Sequence, residues 1–359
     1  MIERLSASAV TFPTDGPEQD GTISWDSTTI VLVEVQADGI AGVGYTYGDP
    51  AVAEVIRSKL AGPVCGSDAM AVAGTWRSLQ RAVRNIGRPG ISAHAISAVD
   101  IALWDLKARL LETPLASLLG LSRGRVPVYG SGGFTSYSND RLADQLRTWS
   151  GSGFGAVKMK VGADAAVDRD RVRIARDAIG PACDLFVDAN GAYERKQALA
   201  LAMEFADLGV SWFEEPVSSD DLEGLRLLRD RAPVGMRIAA GEYGYDGGYF
   251  RRMLQAGAVD VLQADATRCL GLSGFLQAAG LADAFQLPIS AHTAPAVHLH
   301  ACCAVGKIAP LEWFHDHARI EAALFDGAPR VIGGAIAPDL QRPGLGLELN
   351  REQLERHAA

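Results

Sequence analysis

The sequence predicts an α/β protein: a closed barrel of parallel strands and helices behind a smaller α+β domain. From Val126 onward, short apolar stretches (Val126–Gly130, Ala156–Lys160, Leu185–Asp188, Trp212–Glu214, Ile238–Gly241, Val259–Ala264, Leu287–Ser290 and Pro310–Phe314) alternate with helix-like segments, the pattern of a parallel sheet. Nearly every stretch ends in a side chain able to do chemistry: Ser131, Lys158 and Lys160, Asp188 and Asn190, Glu214, Glu242, Asp265, His292, Glu312. Lys160, Asp188, Glu214 and Glu242 follow one another at steps of 28, 26 and 28 residues. A closed barrel brings such strand ends to one mouth, whereas an open sheet would leave half of them out of reach. The length, 359 residues at 48% apolar and 21% charged, suits two domains with an ample core.

Before the barrel, residues 2–12 alternate loosely between apolar and polar, and Thr28-Thr29-Ile30-Val31-Leu32-Val33-Glu34-Val35 is β-branched enough for a strand. Asp38-Gly39 turns the chain into a second strand around Ala41–Tyr47. Helical spacing follows over Val52–Leu60 and Ser67–Val83. Over Ser92–Leu110, Ile96, Val99, Leu103 and Leu106 share a face, with Ser92 as the N-cap. Strands followed by helices without alternation define an α+β unit over residues 1–122, with the barrel at 123–334. The tail 335–359, with Pro338, Pro343 and several glycines, reads as irregular chain carrying a short strand Leu345–Leu349, and it returns to the first domain.

Composition excludes several classes of function. A net charge of −9 with no Lys/Arg-dense stripe argues against nucleic acid. No apolar run is long enough to span a membrane, and Met1-Ile2-Glu3-Arg4-Leu5-Ser6 lacks the basic-then-apolar order of a signal peptide. Cys65, Cys183, Cys269, Cys302 and Cys303 are odd in number and scattered, which speaks against a disulfide framework and for a reducing cytoplasm.

The rim residues imply a chemistry. Asp188, Glu214 and Glu242 are three carboxylates on adjacent strands facing one opening, and like charges so close call for a cation. All-oxygen ligation with open positions suits Mg²⁺. Lys158 and Lys160 alternate on one strand, so both ammonium groups project into the mouth. Two cations side by side near a metal lower each other's pKa, which makes a basic lysine attainable near pH 7. Asp265 and His292, 27 residues apart on neighbouring strands, can form a carboxylate–imidazole pair that fixes the histidine tautomer. Glu312 completes the ring and, if protonated, can hydrogen-bond the substrate's carboxylate or a developing enediolate. Asn190 joins Lys158 and Glu312 as a substrate-binding candidate. Opposed bases, Lys160 and His292, with a metal between them are the equipment for removing a proton next to a carboxylate.

These motifs resemble the enolase superfamily, and specifically its mandelate racemase subgroup, over almost the whole chain. They are the helix Ala95-Ile-Ser-Ala-Val-Asp-Ile-Ala-Leu-Trp-Asp-Leu-Lys107, Lys158-Met-Lys160, Val187-Asp188-Ala-Asn190, Phe213-Glu214-Glu215-Pro216, Gly241-Glu242, Gln263-Ala-Asp265 and Ser290-Ala-His292. The resemblance implies a modified TIM barrel of (β/α)7β type under an α+β capping domain, with one Mg²⁺ per subunit held by Asp188, Glu214 and Glu242. It further implies Lys160 and the His292–Asp265 dyad as acid/base catalysts, with Lys158 and Glu312 at the substrate carboxylate. Loops near residues 14–26 and 45–50 would close over a small-molecule carboxylate, and the family commonly forms symmetric homo-oligomers. After Asp265 the family often shows a Gly-Gly pair. Here the run is Arg268-Cys269-Leu270-Gly271-Leu272, read as reshaping the adjacent loop without touching the dyad.

The expected activity is Mg²⁺-dependent dehydration of an acid sugar: α-proton abstraction through an enediolate, then loss of the β-hydroxyl to give a 2-keto acid. By analogy, acid-sugar dehydratases are the commonest activity of the Lys/His–Asp arrangement. A racemase or epimerase using the same two bases is the close alternative. A catalytically silent carboxylate-binding barrel is disfavoured because every catalytic position is filled. His298-x-His300 reads as part of a helix rather than a second, zinc-type site, and His315-x-His317 follows the eighth strand with a substrate role open. Gly42-x-Gly44-x-x-x-Gly48 lacks the spacing of a dinucleotide loop and has a structural reading.

Overall fold

The computed structural model describes residues 1–357. Strands β1 (Arg4–Gln19), β2 (Ser24–Ala37) and β3 (Ile40–Tyr47) form an antiparallel sheet. Alternation along β2 buries both of its faces: Val31, Val33 and Val35 pack into one cluster with the N-terminal helices. Ile30 and Leu32 join Val43, Tyr45 and Tyr47 in the cluster that runs into the barrel. The β1–β2 ladder breaks between Pro13 and Glu18 and resumes at Glu18 opposite Trp25, so the hairpin ends in a long arm. Its tip is tied by Asp20, whose side chain accepts from the Thr22 and Ile23 amides at 2.6 and 2.8 Å.

Residues 14–26, expected as a loop, instead form an extended arm paired at Glu18–Trp25 and Gln19–Ser24. The local sequence, with Pro13, Gly16 and Pro17, gives no strand signal. The arm is instead held from outside, by Ser136 Oγ donating to the Pro17 carbonyl (2.7 Å) and the Thr135 amide to the Gln19 carbonyl (2.8 Å). Two helix boundaries also differ from the sequence reading. Helix Val72–Ala82 starts five residues after Ser67, because Ser67 and Gly66 pair with Ile2 through the backbone. Helix Ile91–Leu110 is capped by Gly90 at φ 71° without any side-chain bond, and Ser92 lies buried inside its first turn.

The Ile91–Leu110 helix presses directly on β3. A Cβ on Gly42 would lie 2.4 Å from the Leu106 nitrogen, and one on Gly44 would lie 2.3 Å from the Ala98 carbonyl oxygen. These glycines serve backbone contact, as the sequence reading held. Buried Asp105 on that helix accepts from the Val43 amide (2.8 Å), the Leu345 amide (2.6 Å) and Arg109 (2.8 Å), so one carboxylate joins helix, sheet and C-terminal tail.

The barrel strands are β4 (Val126–Gly132), β5 (Ala156–Lys160), β6 (Asp184–Asp188), β7 (Val210–Glu214), β8 (Arg237–Ala240), β9 (Val261–Ala264), β10 (Ile289–Ala291) and β11 (Leu311–Phe314). They pair in parallel in chain order, β11 returns to β4, and β10 meets the chain ahead of β11 through Ile289–Lys307 and Ala309–Ile289 backbone bonds. A helix follows each strand. Tyr129, Phe186, Trp212, Ala239 and Val261 fill the interior, with Phe186 and Trp212 stacked at 5.0 Å. In the tail, Ala335–Ile336 pairs antiparallel with β4, and the strand is confined to Glu348–Leu349 against Phe325–Asp326. Arg351 pairs with Glu34 of β2. All five cysteines are free, and no described helix is long and apolar enough to cross a membrane.

Gly44→Ala should force β3 off the helix. The expected loss is about 1–3 kcal/mol by urea unfolding, with Gly62→Ala, which has open space around it, nearly neutral.

Candidate active site

Strand register builds the site. Lys160, Asp188 and Glu214 are direct neighbours across β5, β6 and β7, one layer above Lys158, Phe186 and Trp212. Inward-facing residues alternate, so an aromatic floor lies beneath a charged rim. Beyond the strand ends the backbone takes left-handed turns at non-glycine residues: Asn190 (φ 47°), Glu215 (φ 38°) and Thr293 (φ 52°), beside Asp188, Glu214 and His292. For the β-branched Thr293 this conformation is strained. It is held by the Thr293 amide donating to Glu312 Oε2 at 3.1 Å.

Six buried carboxyl groups, Asp188, Glu214, Glu215, Glu242, Asp265 and Glu312, share the mouth with three cationic side chains, Lys158, Lys160 and the partly buried Arg268. Lys158 Nζ lies 2.5 Å from Glu214, 2.8 Å from Glu312 and 3.3 Å from Asp188. Lys160 Nζ lies 2.5 Å from Asp188 and 3.0 Å from Asn190 Oδ1. The acids, and not the paired ammonium groups, are the lysines' nearest charges. Burial opposes their charge, yet the carboxylates raise both lysines above the ordinary range, and Lys158's effect on Lys160 is secondary. Burial would also raise Glu312, but Lys158 and His292 hold it below the usual range. Its expected role as a protonated donor is thus at odds with its partners, which include Ser131 Oγ donating at 2.6 Å.

Carboxylate oxygens of Asp188, Glu214 and Glu242 lie within 4.8 Å of one another, all three residues buried. Glu242 Oε2 has no hydrogen-bond partner and faces His292 Nε2 at 3.3 Å. With the other ring nitrogen, Nδ1, 2.9 Å from Asp265 Oδ2, Nε2 is the lone-pair side and faces the mouth able to take a proton. The donor set fits an oxygen-loving divalent ion.

Asp265 would be raised by burial, but the His292 bond, with His298 and Arg268 nearby, holds it well below the carboxylate range. Arg268 corrects the sequence reading of its loop: its guanidinium lies 3.2 Å from Glu242 and 3.5 Å from Asp265, so it braces both the acid triad and the dyad. An arginine three residues after the dyad aspartate was the available signal. His298 and His300 sit in the helix Pro295–Ala304, and no candidate metal cluster among the described residues includes them. His298 Nε2 accepts the Ala266 amide at 2.7 Å, directly behind Asp265. His315 pairs with Asp15 of the arm (2.9 Å), and His317 stacks on Tyr47 at 3.4 Å. Cys269, Cys302 and Cys303 are core packing.

Two family models cover most of the chain: the mandelate racemase / muconate lactonizing enzyme N-terminal domain over residues 6–120, and the enolase C-terminal domain-like model over 141–353. A solved mandelate racemase/muconate lactonizing enzyme-like protein from Rubrobacter xylanophilus is 56% identical, with a TM-score of 0.98 over 100% of this chain and 99% of that one. The 3,6-anhydro-alpha-L-galactonate cycloisomerase of Streptomyces coelicolor is 34% identical over 100% of this chain and 99% of the relative. The L-talarate/galactarate dehydratase of Salmonella typhimurium is 31% identical over 98% and 89%. A structure of it liganded with Mg and L-lyxarohydroxamate aligns with a TM-score of 0.91 at 30% identity, over 100% and 93% of the two chains. The chain belongs to the mandelate racemase/muconate lactonizing enzyme family of the enolase superfamily.

His298→Ala should leave the buried Ala266 amide without an acceptor. The expected cost is about 1–3 kcal/mol by urea unfolding, unchanged by a chelator; equal chelator-sensitive losses in His298→Ala and His300→Ala would instead indicate a metal pair.

Proposed function

We propose that this member of the enolase superfamily is a Mg²⁺-dependent dehydratase of an acid sugar. The observation that carries the reading is the pair of proton-transfer groups, Lys160 on β5 and His292 beyond β10, converging on a mouth whose other strands supply a buried acid triad. Asp188, Glu214 and Glu242 would hold the ion. Bound there, Mg²⁺ would supply positive charge at the substrate's carboxylate and draw Asp188 away from Lys160, favouring the neutral amine.

The chain's own side chains do the rest. Lys160 Nζ or His292 Nε2 takes the α-proton, the choice being set by the configuration of that carbon. Lys158, braced by Glu312 and Ser131, donates to the carboxylate oxygen as negative charge grows, and Asn190 orients the same end. Asp265 fixes the His292 tautomer and steadies its protonated form. If His292 took the α-proton, it passes that proton to the β-hydroxyl; if Lys160 took it, a His292 protonated beforehand supplies one. The hydroxyl leaves as water, and the enol loses its O–H proton and gains one at the β-carbon to give the 2-keto acid.

Similarity to a cycloisomerase along the whole chain favours a second reading with the same first step. If the β-oxygen belongs to a ring, its departure opens the ring and the product is an isomer, with no water lost. Reprotonation from the opposite face in place of expulsion gives a racemase or epimerase.

Incubation with Mg²⁺ and a panel of aldonic and aldaric acids should yield 2-keto acid from at least one. If none does while one acid exchanges its α-hydrogen in D₂O, racemisation replaces dehydration. Lys160→Ala and His292→Asn should each lower kcat by roughly 10²–10⁴-fold; full activity in either sinks the two-base reading. A chelator should abolish turnover and Mg²⁺ restore it, whereas indifference to chelation removes the triad from the mechanism.

A further inference from the structure

Where the N-terminal arm crosses the end of β11, four polar atoms have no hydrogen-bond partner: Glu18 Oε1, Asp316 Oδ2, His317 Nδ1 and Arg319 Nε. Glu18 and Asp316 are wholly buried and His317 is 7% exposed. Buried polar groups without partners are rare, and several in one place point to a ligand. The surroundings are aromatic. Trp25, which donates to Glu18 Oε2 at 2.9 Å, packs edge-on against Phe134, and Phe134 against Phe314. Phe314 in turn meets His317, which stacks on Tyr47. This patch adjoins the mouth, since Phe314 and His317 lie just beyond Glu312 at the end of β11.

We infer that this patch receives the far end of the substrate, and that this end is hydroxylated and uncharged: the substrate is a monocarboxylate of aldonate type, not a dicarboxylate. The inference rests on the acid-sugar reading above and narrows it. A hydroxyl both donates and accepts, so a carboxyl, an imidazole and a guanidinium nitrogen on aromatic walls suit a polyol. Among the described residues at this patch, a second carboxylate finds no free cation. Arg319 is bonded to Asp316 and to the Pro13 carbonyl, while Arg141 is bonded to Asp15, which also holds His315. Burial, with Asp316 beside it, pushes Glu18 up to about 8, which keeps it a neutral donor at pH 7. Asp15, Glu18 and His315 also converge within 4.8 Å, but Arg141 and His315 already share the Asp15 carboxylate.

The test compares kcat/KM, with Mg²⁺ present, on a panel of hexonates, the matching hexarates and four-carbon threonate and erythronate. Wild type should prefer a hexonate to its hexarate by about tenfold or more. Glu18→Met should lower kcat/KM on that hexonate by roughly 10–100-fold and on the four-carbon acids by less than about threefold. Glu18→Gln, which keeps a neutral donor and acceptor, should retain most activity. Melting temperatures of both variants check that they fold. A hexarate preferred or equal, or a Glu18→Met loss of the same size on long and short acids, overturns the inference. If no acid is turned over, the dehydratase reading fails by itself. Calorimetric binding of the same acids with Mg²⁺ then carries the same contrasts, and their absence overturns the subsite.

Discussion

Mutual repulsion among buried carboxylates is the constraint around which this molecule is arranged. Burial first, and then the neighbouring acids at the mouth, push Glu214 and Glu215 well above the carboxylate range. Such a cluster survives folding only with positive charge inside it. Lys158 touches three of the acids, Lys160 one, and Arg268 two from the side. The aromatic floor of Tyr129, Phe186 and Trp212 keeps the interior beneath them dry, and Trp212 returns an N–H to Glu214 at 3.0 Å. Removing one member would leave its partners buried and uncompensated, which costs far more than the pair contributes.

The N-terminal domain is tied into this arrangement rather than resting on it. Asp100 of the long helix accepts from the Ser273 amide and hydroxyl, at 2.9 and 2.7 Å, and Trp104 donates to the same hydroxyl. Trp76 donates to the Leu270 carbonyl, and Ser97 accepts the Gly271 amide. All of these partners lie just beyond Arg268 and Asp265. The loop carrying the dyad aspartate is therefore clamped between barrel and helix. The dyad's geometry thus draws on contacts with the N-terminal domain.

The barrel and its charged rim were legible because both follow a period: strand alternation of two, and a unit of roughly 27 residues that returns each strand end to the same mouth. Lys160, Asp188, Glu214, Asp265 and His292 could be picked out because a polar side chain at an apolar strand's end has few structural uses. The arm was not legible, since its pairing comes from contacts with residues 133–137 and not from its own composition. The charge balance around the lysines was not legible, because it depends on distances of 2.5–3.3 Å to acids far away in sequence. Arg268 and the unpartnered atoms at Glu18, Asp316 and His317 belong to the same class. They become visible only when three segments meet.

The junction at Asp105 bears on how the chain is made. Its carboxylate is sealed between β3 and the long helix, yet the Leu345 amide that satisfies one of its oxygens is synthesised some 240 residues later. Until that tail is made, the Val43 amide and Arg109, both on the other oxygen, are the partners that the N-terminal domain itself supplies. A chain cut before Leu345 would leave Asp105 Oδ1 buried without that amide, and the joint between cap and barrel correspondingly weaker.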